Sequence, residues 1–162
     1  MSGKVNVLDG DVGEFNSLPS SVRCVVNICG PGDLTKPICT GRMAETLANL
    51  VTKLLGGTIA EKPEAAREAS PITYISSATP PILTIHGTKD SLVDFEQSVR
   101  LDEALKKAGA TSLLVPMTDV DHNFSAGTET LRRIRKFLDI HLRDVAGEVS
   151  TTPIPRSEAI VN

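Results

Sequence analysis

The chain predicts an α/β fold, a small parallel sheet flanked by helices, and three observations predict it. Three short segments, 22–29, 81–86 and 111–116, are apolar on successive residues instead of alternate ones, the pattern of strands covered on both faces. Each is followed by a stretch whose apolar residues recur at helical spacing. Strand, helix, strand, helix, strand, helix in that order fits βαβ units with right-handed crossovers.

Residues 1–20 are rich in Gly, Asp, Ser and Asn, alternate weakly only at Val5-Asn6-Val7-Leu8, and are expected to be loosely ordered. The first strand, Val22-Arg23-Cys24-Val25-Val26-Asn27-Ile28-Cys29, stops at Gly30-Pro31-Gly32. A helix follows on Met43, Leu47, Leu50, Val51, Leu54 and Leu55, ended by Gly56-Gly57. A short charged helix over 63–68 begins on Pro63, whose missing N–H costs nothing in a first turn.

The second strand runs from Pro81 to His86 and opens into Gly87-Thr88-Lys89-Asp90. Its helix starts near Asp94, with Asp94 and Gln97 as a capping pair and Phe95, Val99, Leu105 and Ala108 as the inner face. The third strand, 111–116, leads into a polar loop over 119–127. Leu131, Ile134, Leu138 and Leu142 then mark a last amphipathic helix. Residues 146–162 have two prolines, several Ser and Thr and no apolar period, and are expected to form a disordered tail after one domain over 21–145.

Composition narrows the function classes. A net charge of −3 gives no electrostatic footprint for nucleic acid or an anionic membrane surface. The longest apolar run falls far short of a membrane span, and Met1-Ser2-Gly3-Lys4 leads into Asp9-Gly10-Asp11 instead of a signal-peptide core. Cys24, Cys29 and Cys39 are odd in number and lack metal-ligand spacing, so reduced thiols and a cytoplasmic location are expected. No cofactor is implied.

The residues that carry chemistry are an acid and a histidine. Asp90 follows the end of the second strand, and His122 lies in Asp121-His122-Asn123-Phe124, past the end of the third. Loops at the C-terminal ends of parallel strands are where catalytic groups converge in open α/β sheets. A carboxylate that orients an imidazole makes that imidazole a general base toward a hydroxyl. His86, closing a buried strand before Gly87, is expected to bond backbone, and His141 sits favourably near a helix C-terminus. Asp119, Asp121 and His122 lack the spacing of a metal site.

With these residues in order, the chain resembles the C-terminal half of an α/β-hydrolase. More narrowly, it resembles the esterases related to prolyl-oligopeptidase-type peptidases and to acetyl or feruloyl esterases. The matching segments are 21–34, Leu54-Leu55-Gly56-Gly57, 69–76, 81–93, 103–109, 121–124 and 137–142. The resemblance implies hydrolysis of a carboxylic ester or peptide, with Asp90 as triad acid and His122 as base. It also implies a Gly-x-Ser-x-Gly nucleophile elbow, which the 162 residues do not contain. Cys29, ending a strand with an intrinsically nucleophilic thiol, is the substitute to weigh, since Ser125 follows His122 too closely to be served by the same ring. The expectation is a hydrolase-family chain that is inactive alone or active with a partner chain. The alternative is a non-catalytic binding module that uses the cleft or the sheet edge. Because strand 22–29 would in a complete enzyme pair with the nucleophile strand, its edge is expected to support a homodimer.

Overall fold

A computed structural model of the chain describes residues 18–158. The expectation for residues 1–20 therefore falls almost wholly outside the described residues. The three strands are β1 (Val25–Ile28), β2 (Ile82–Gly87) and β3 (Ser112–Met117), in the spatial order β1-β2-β3 and parallel throughout. The helices are α1 (Ala44–Leu55), α2 (Pro63–Glu68), α3 (Glu96–Lys107) and α4 (Thr128–Arg143). None of the described helices is long and apolar enough to cross a membrane.

β2 is central and buried along its whole length. Leu83 and Ile85 point to one face, where Val115, Met117 and the fully buried Phe137 of α4 complete a core. Ile82 points to the other face, against Leu101 and Leu105 of α3. This two-residue alternation places His86 on the α3 side, where it meets Ser98. α1 and α2 pack on each other through Val51, Leu55 and Ala66, apart from the sheet.

Several expectations need correcting. β1 is shorter than 22–29 and is not covered on both faces: Ile28 is half exposed, because among the described residues β1 is bonded only to β2. The buried face of α3 runs through Ser98, Leu101 and Leu105, while Val99 and Ala108 are only half-buried. In α4, Phe137 takes the core position and Leu131 and Leu142 lie in solvent. Asp94 and Gln97 do not cap α3 with their side chains. Asp94 Oδ2 accepts from Thr40 instead, and buried Gln97 bonds the loop after β1.

Residues 146–158 are anchored to the core at Val149 and Ile154 with the rest of the segment exposed, where a disordered tail over 146–162 was expected. The segment pairs with the open edge of β3 at Ile154, whose N–H donates to the Pro116 carbonyl at 2.8 Å and whose carbonyl accepts from Thr118 at 2.8 Å. Ile154 is fully buried, and Arg133 of α4 donates to the Ser150 and Thr152 carbonyls while pairing with Glu129. Two apolar anchors, Val149 and Ile154, and one buried guanidinium hold an extended strap that has no periodicity to read.

Candidate active site

The acid is delivered by the turn that ends β2. Thr88 N–H donates to Met117 O (2.9 Å) and Lys89 N–H to Val120 O (3.0 Å), so this turn is bonded to the segment that leaves β3. The two backbones approach so closely at Gly87 that any β-carbon there would overlap the Val120 carbonyl, which is why glycine is required. The base loop is drawn in from its other side by Asp121. Its Oδ1 accepts from Ser91 N–H and Ser91 Oγ, both at 2.8 Å, and from His122 N–H at 2.7 Å.

These contacts bring the two predicted residues together. His122 Nδ1 lies 2.8 Å from Asp90 Oδ2, with the Asp90 side chain fully buried and that of His122 30% exposed. Asp90 Oδ1 accepts from the N–H groups of Leu92 (2.9 Å) and Val93 (2.8 Å). A second imidazole reaches the same carboxylate, His86 Nε2 standing 3.0 Å from Oδ2. Burial alone would raise the Asp90 carboxyl. The hydrogen bonds from His86, from Val93 and Leu92 N–H and from His122 outweigh it and hold the group well below the usual carboxylate range. An ionised Asp90 can only accept, so His122 carries its proton on Nδ1 when neutral, which leaves the Nε2 lone pair for a proton transfer.

His86 does bond backbone as expected, through Nε2 to Val93 O at 2.8 Å, but it also touches Asp90. The sequence held one trace of this, the four-residue spacing from His86 to Asp90 across a strand end. Nothing in it marked Ser91 or Ser98. Cys29 lies at the end of β1 with φ 51, and its thiol is buried. Burial, offset in part by the Gly87 backbone and reinforced by the Asp90 charge, pushes that thiol up to about 12. A thiol so protonated is a poor nucleophile.

Among the described residues, the three groups close enough to share a metal are Cys29, His86 and Asp90, whose ligand atoms lie within 4.8 Å of one another. The His86 nitrogens and both Asp90 oxygens are already committed to protein partners, which makes the cluster a hydrogen-bonded network more than an open coordination sphere. Asp119 faces Lys89 and the Asp121 carboxylate is engaged with Ser91, so the acidic loop forms no such group.

Comparison with known proteins gives the family and the fold. A family model described as BD-FAE matches residues 1–105, a span that includes Asp90 and ends before His122. Esterase LipQ of Mycobacterium tuberculosis is 30% identical over 104 residues, 61% of this chain and 23% of LipQ. The uncharacterized peptidase YuxL of Bacillus subtilis is 33% identical over 76 residues, 47% of this chain and 12% of YuxL. Among solved structures, a truncated carbohydrate esterase from gut microbiota superimposes with a TM-score of 0.68 at 25% identity, covering 82% of this chain and 47% of that one. An acylaminoacyl peptidase of Pyrococcus horikoshii gives a TM-score of 0.66 at 16% identity over 80% of this chain and 22% of that one, a likeness of fold alone. The chain thus spans under a quarter of these curated relatives and about half of the carbohydrate esterase structure.

Proposed function

The chain belongs to the BD-FAE family and has an α/β-hydrolase fold with esterase and peptidase relatives, and on that premise we propose that Asp90 and His122 are the acid and base of a carboxylic-ester hydrolase site. The observation that carries this reading is the 2.8 Å contact between His122 Nδ1 and a buried, ionised Asp90 oxygen. In the reaction, His122 Nε2 takes the proton of an attacking hydroxyl as the acyl C–O bond forms. It then returns that proton to the leaving alkoxide, and water repeats the cycle on the acyl group. Asp90 fixes the ring and stabilises the transient imidazolium.

The hydroxyl is not assigned to this chain, since its sequence holds no Gly-x-Ser-x-Gly and Cys29 is buried and protonated. Turnover by the chain alone is therefore not expected. Hydrolysis of a short-chain p-nitrophenyl ester by the chain and by His122→Ala tests this. Rates equal to buffer in both support the reading. A rate that falls about a hundredfold or more in the variant keeps His122 as base and overturns the missing nucleophile. To test the acid and base themselves, the whole chain would be joined to the nucleophile-bearing part of an esterase relative. Activity that survives Asp90→Ala and His122→Ala there would remove both roles.

One observation favours a second reading, a non-catalytic interaction module. Among the described residues β1 is a sheet edge with Ile28 half exposed, and a second copy of the chain fits such an edge. A monodisperse monomer in light scattering at micromolar concentration would remove the homodimer.

A further inference from the structure

We infer that His86 is a positioning residue for the Asp90–His122 pair, pinning Asp90 Oδ2 and dividing that oxygen's acceptor strength between two imidazoles. The inference rests on the reading of Asp90 and His122 as acid and base.

The His86 ring is fully buried and engaged at both nitrogens. Nε2 lies 2.8 Å from Val93 O and 3.0 Å from Asp90 Oδ2. A carbonyl and an ionised carboxylate can only accept, so Nε2 carries the proton, bonded to Val93 O with Asp90 Oδ2 in close contact. Nδ1, 2.6 Å from Ser98 Oγ, then accepts the serine hydroxyl, which fixes the tautomer from the opposite side. The Phe95 ring meets His86 edge-on, with centroids 5.7 Å apart, and limits its tilt.

The surroundings of Asp90 leave His86 the deciding group. β1 contributes the buried Cys29 thiol. The loop after β2 contributes the Leu92 and Val93 N–H groups, both on Oδ1. The loop after β3 contributes His122 on Oδ2, while the Asp121 carboxylate is turned to Ser91. Oδ2 is thus the oxygen that both imidazoles reach. An acceptor serving two donors binds each less tightly than it would bind one. A carboxylate that holds the Nδ1 proton very strongly makes the ring so basic that it is already protonated, and idle as a base, near neutral pH. His86 therefore fixes Asp90 in place and tempers its hold on His122.

Imidazole 1H and 15N NMR of the 162-residue chain reads this without substrate, so an absence of turnover, which bears on the proposed reaction, cannot be mistaken for failure here. In the wild type, His86 is expected as the Nε2–H tautomer and the His122 Nδ1 proton as a separate downfield resonance. In His86→Leu that resonance moves further downfield. In His86→Gln, whose amide nitrogen reaches the Nε2 position, it stays near the wild-type place. An Nδ1–H tautomer of His86 in the wild type overturns the inference with no variant needed. So does a His86→Leu protein of native circular dichroism whose His122 resonance is unmoved or shifted upfield, the result of a purely structural role.

Discussion

Gly87 faces the Val120 carbonyl at a separation that leaves no room for a β-carbon. That contact is what lets the turn bearing Asp90 lie against the loop bearing His122, because Lys89 N–H donates to the same Val120 oxygen at 3.0 Å. Glycine at this place serves close approach and not an unusual φ, which separates it from Gly56, whose φ of 74 ends α1.

Gly87→Ala is accordingly expected to force the two loops apart and to cost about 1–3 kcal/mol in urea unfolding. The same variant should lose the downfield His122 Nδ1 resonance. A variant as stable as wild type that keeps the resonance would show that the loops do not depend on this contact.

The strap over 146–158 supplies a second expectation. Ile154→Ala removes a fully buried side chain, with a loss of about 2–5 kcal/mol. Arg133→Leu strands the Ser150 and Thr152 carbonyls and leaves Glu129 with Arg132 alone. In both variants limited proteolysis should cut after residue 145 faster than in the wild type. Equal cutting rates would mean that the strap is not held by these two side chains.

The strap also shows what the sequence could and could not reveal. α2 was legible to its end residues, because Pro63 and the charged first turn are local signals. The end of α1 at Gly56 was legible for the same reason. The meeting of Asp90 and His122 was legible because each follows a strand end. Gln97 was not: its amide bonds Gly32 and Asp33, 65 and 64 residues away, and a contact across that distance leaves no periodicity. The face of α4 was misjudged for a related reason. Its apolar period marks Leu131 and Leu142 as inward, yet both are exposed, since the orientation of a helix is set by what lies opposite it.

Of the lowered carboxyls, which include Glu61 and Asp121, the two held down most strongly dominate acid stability. In Asp90, burial raises the group but the hydrogen bonds from His86, Val93, Leu92 and His122 bring it below its ordinary 3.8. In Glu129, hydrogen bonds from Arg132 and then Arg133 bring it from 4.5 to about 2. A carboxyl lowered in the folded state stabilises the fold fully above its unfolded value, and that contribution is lost as pH falls through the folded value. Urea stability should therefore hold above about pH 5 and decline steadily as pH falls below that. Glu129→Gln and Asp90→Asn should each lower stability at neutral pH and make the acid decline shallower. A decline as steep as wild type in both variants would place the responsible groups elsewhere.

Cys29 gives the last expectation, and it bears on the nucleophile. The thiol sits beside the Asp90 carboxylate and the His86 ring, on the buried side of the network, while the His122 side chain is 30% exposed. With its thiol at about 12, the thiolate fraction at pH 8 is on the order of one in ten thousand. Iodoacetamide should therefore label Cys29 in the folded chain far more slowly than in urea. Any ester hydrolysis that the chain shows should survive Cys29→Ala unchanged. Rapid labelling of Cys29 at pH 8, together with loss of hydrolysis in that variant, would instead make the thiol the attacking group and give His122 a nucleophile within this chain.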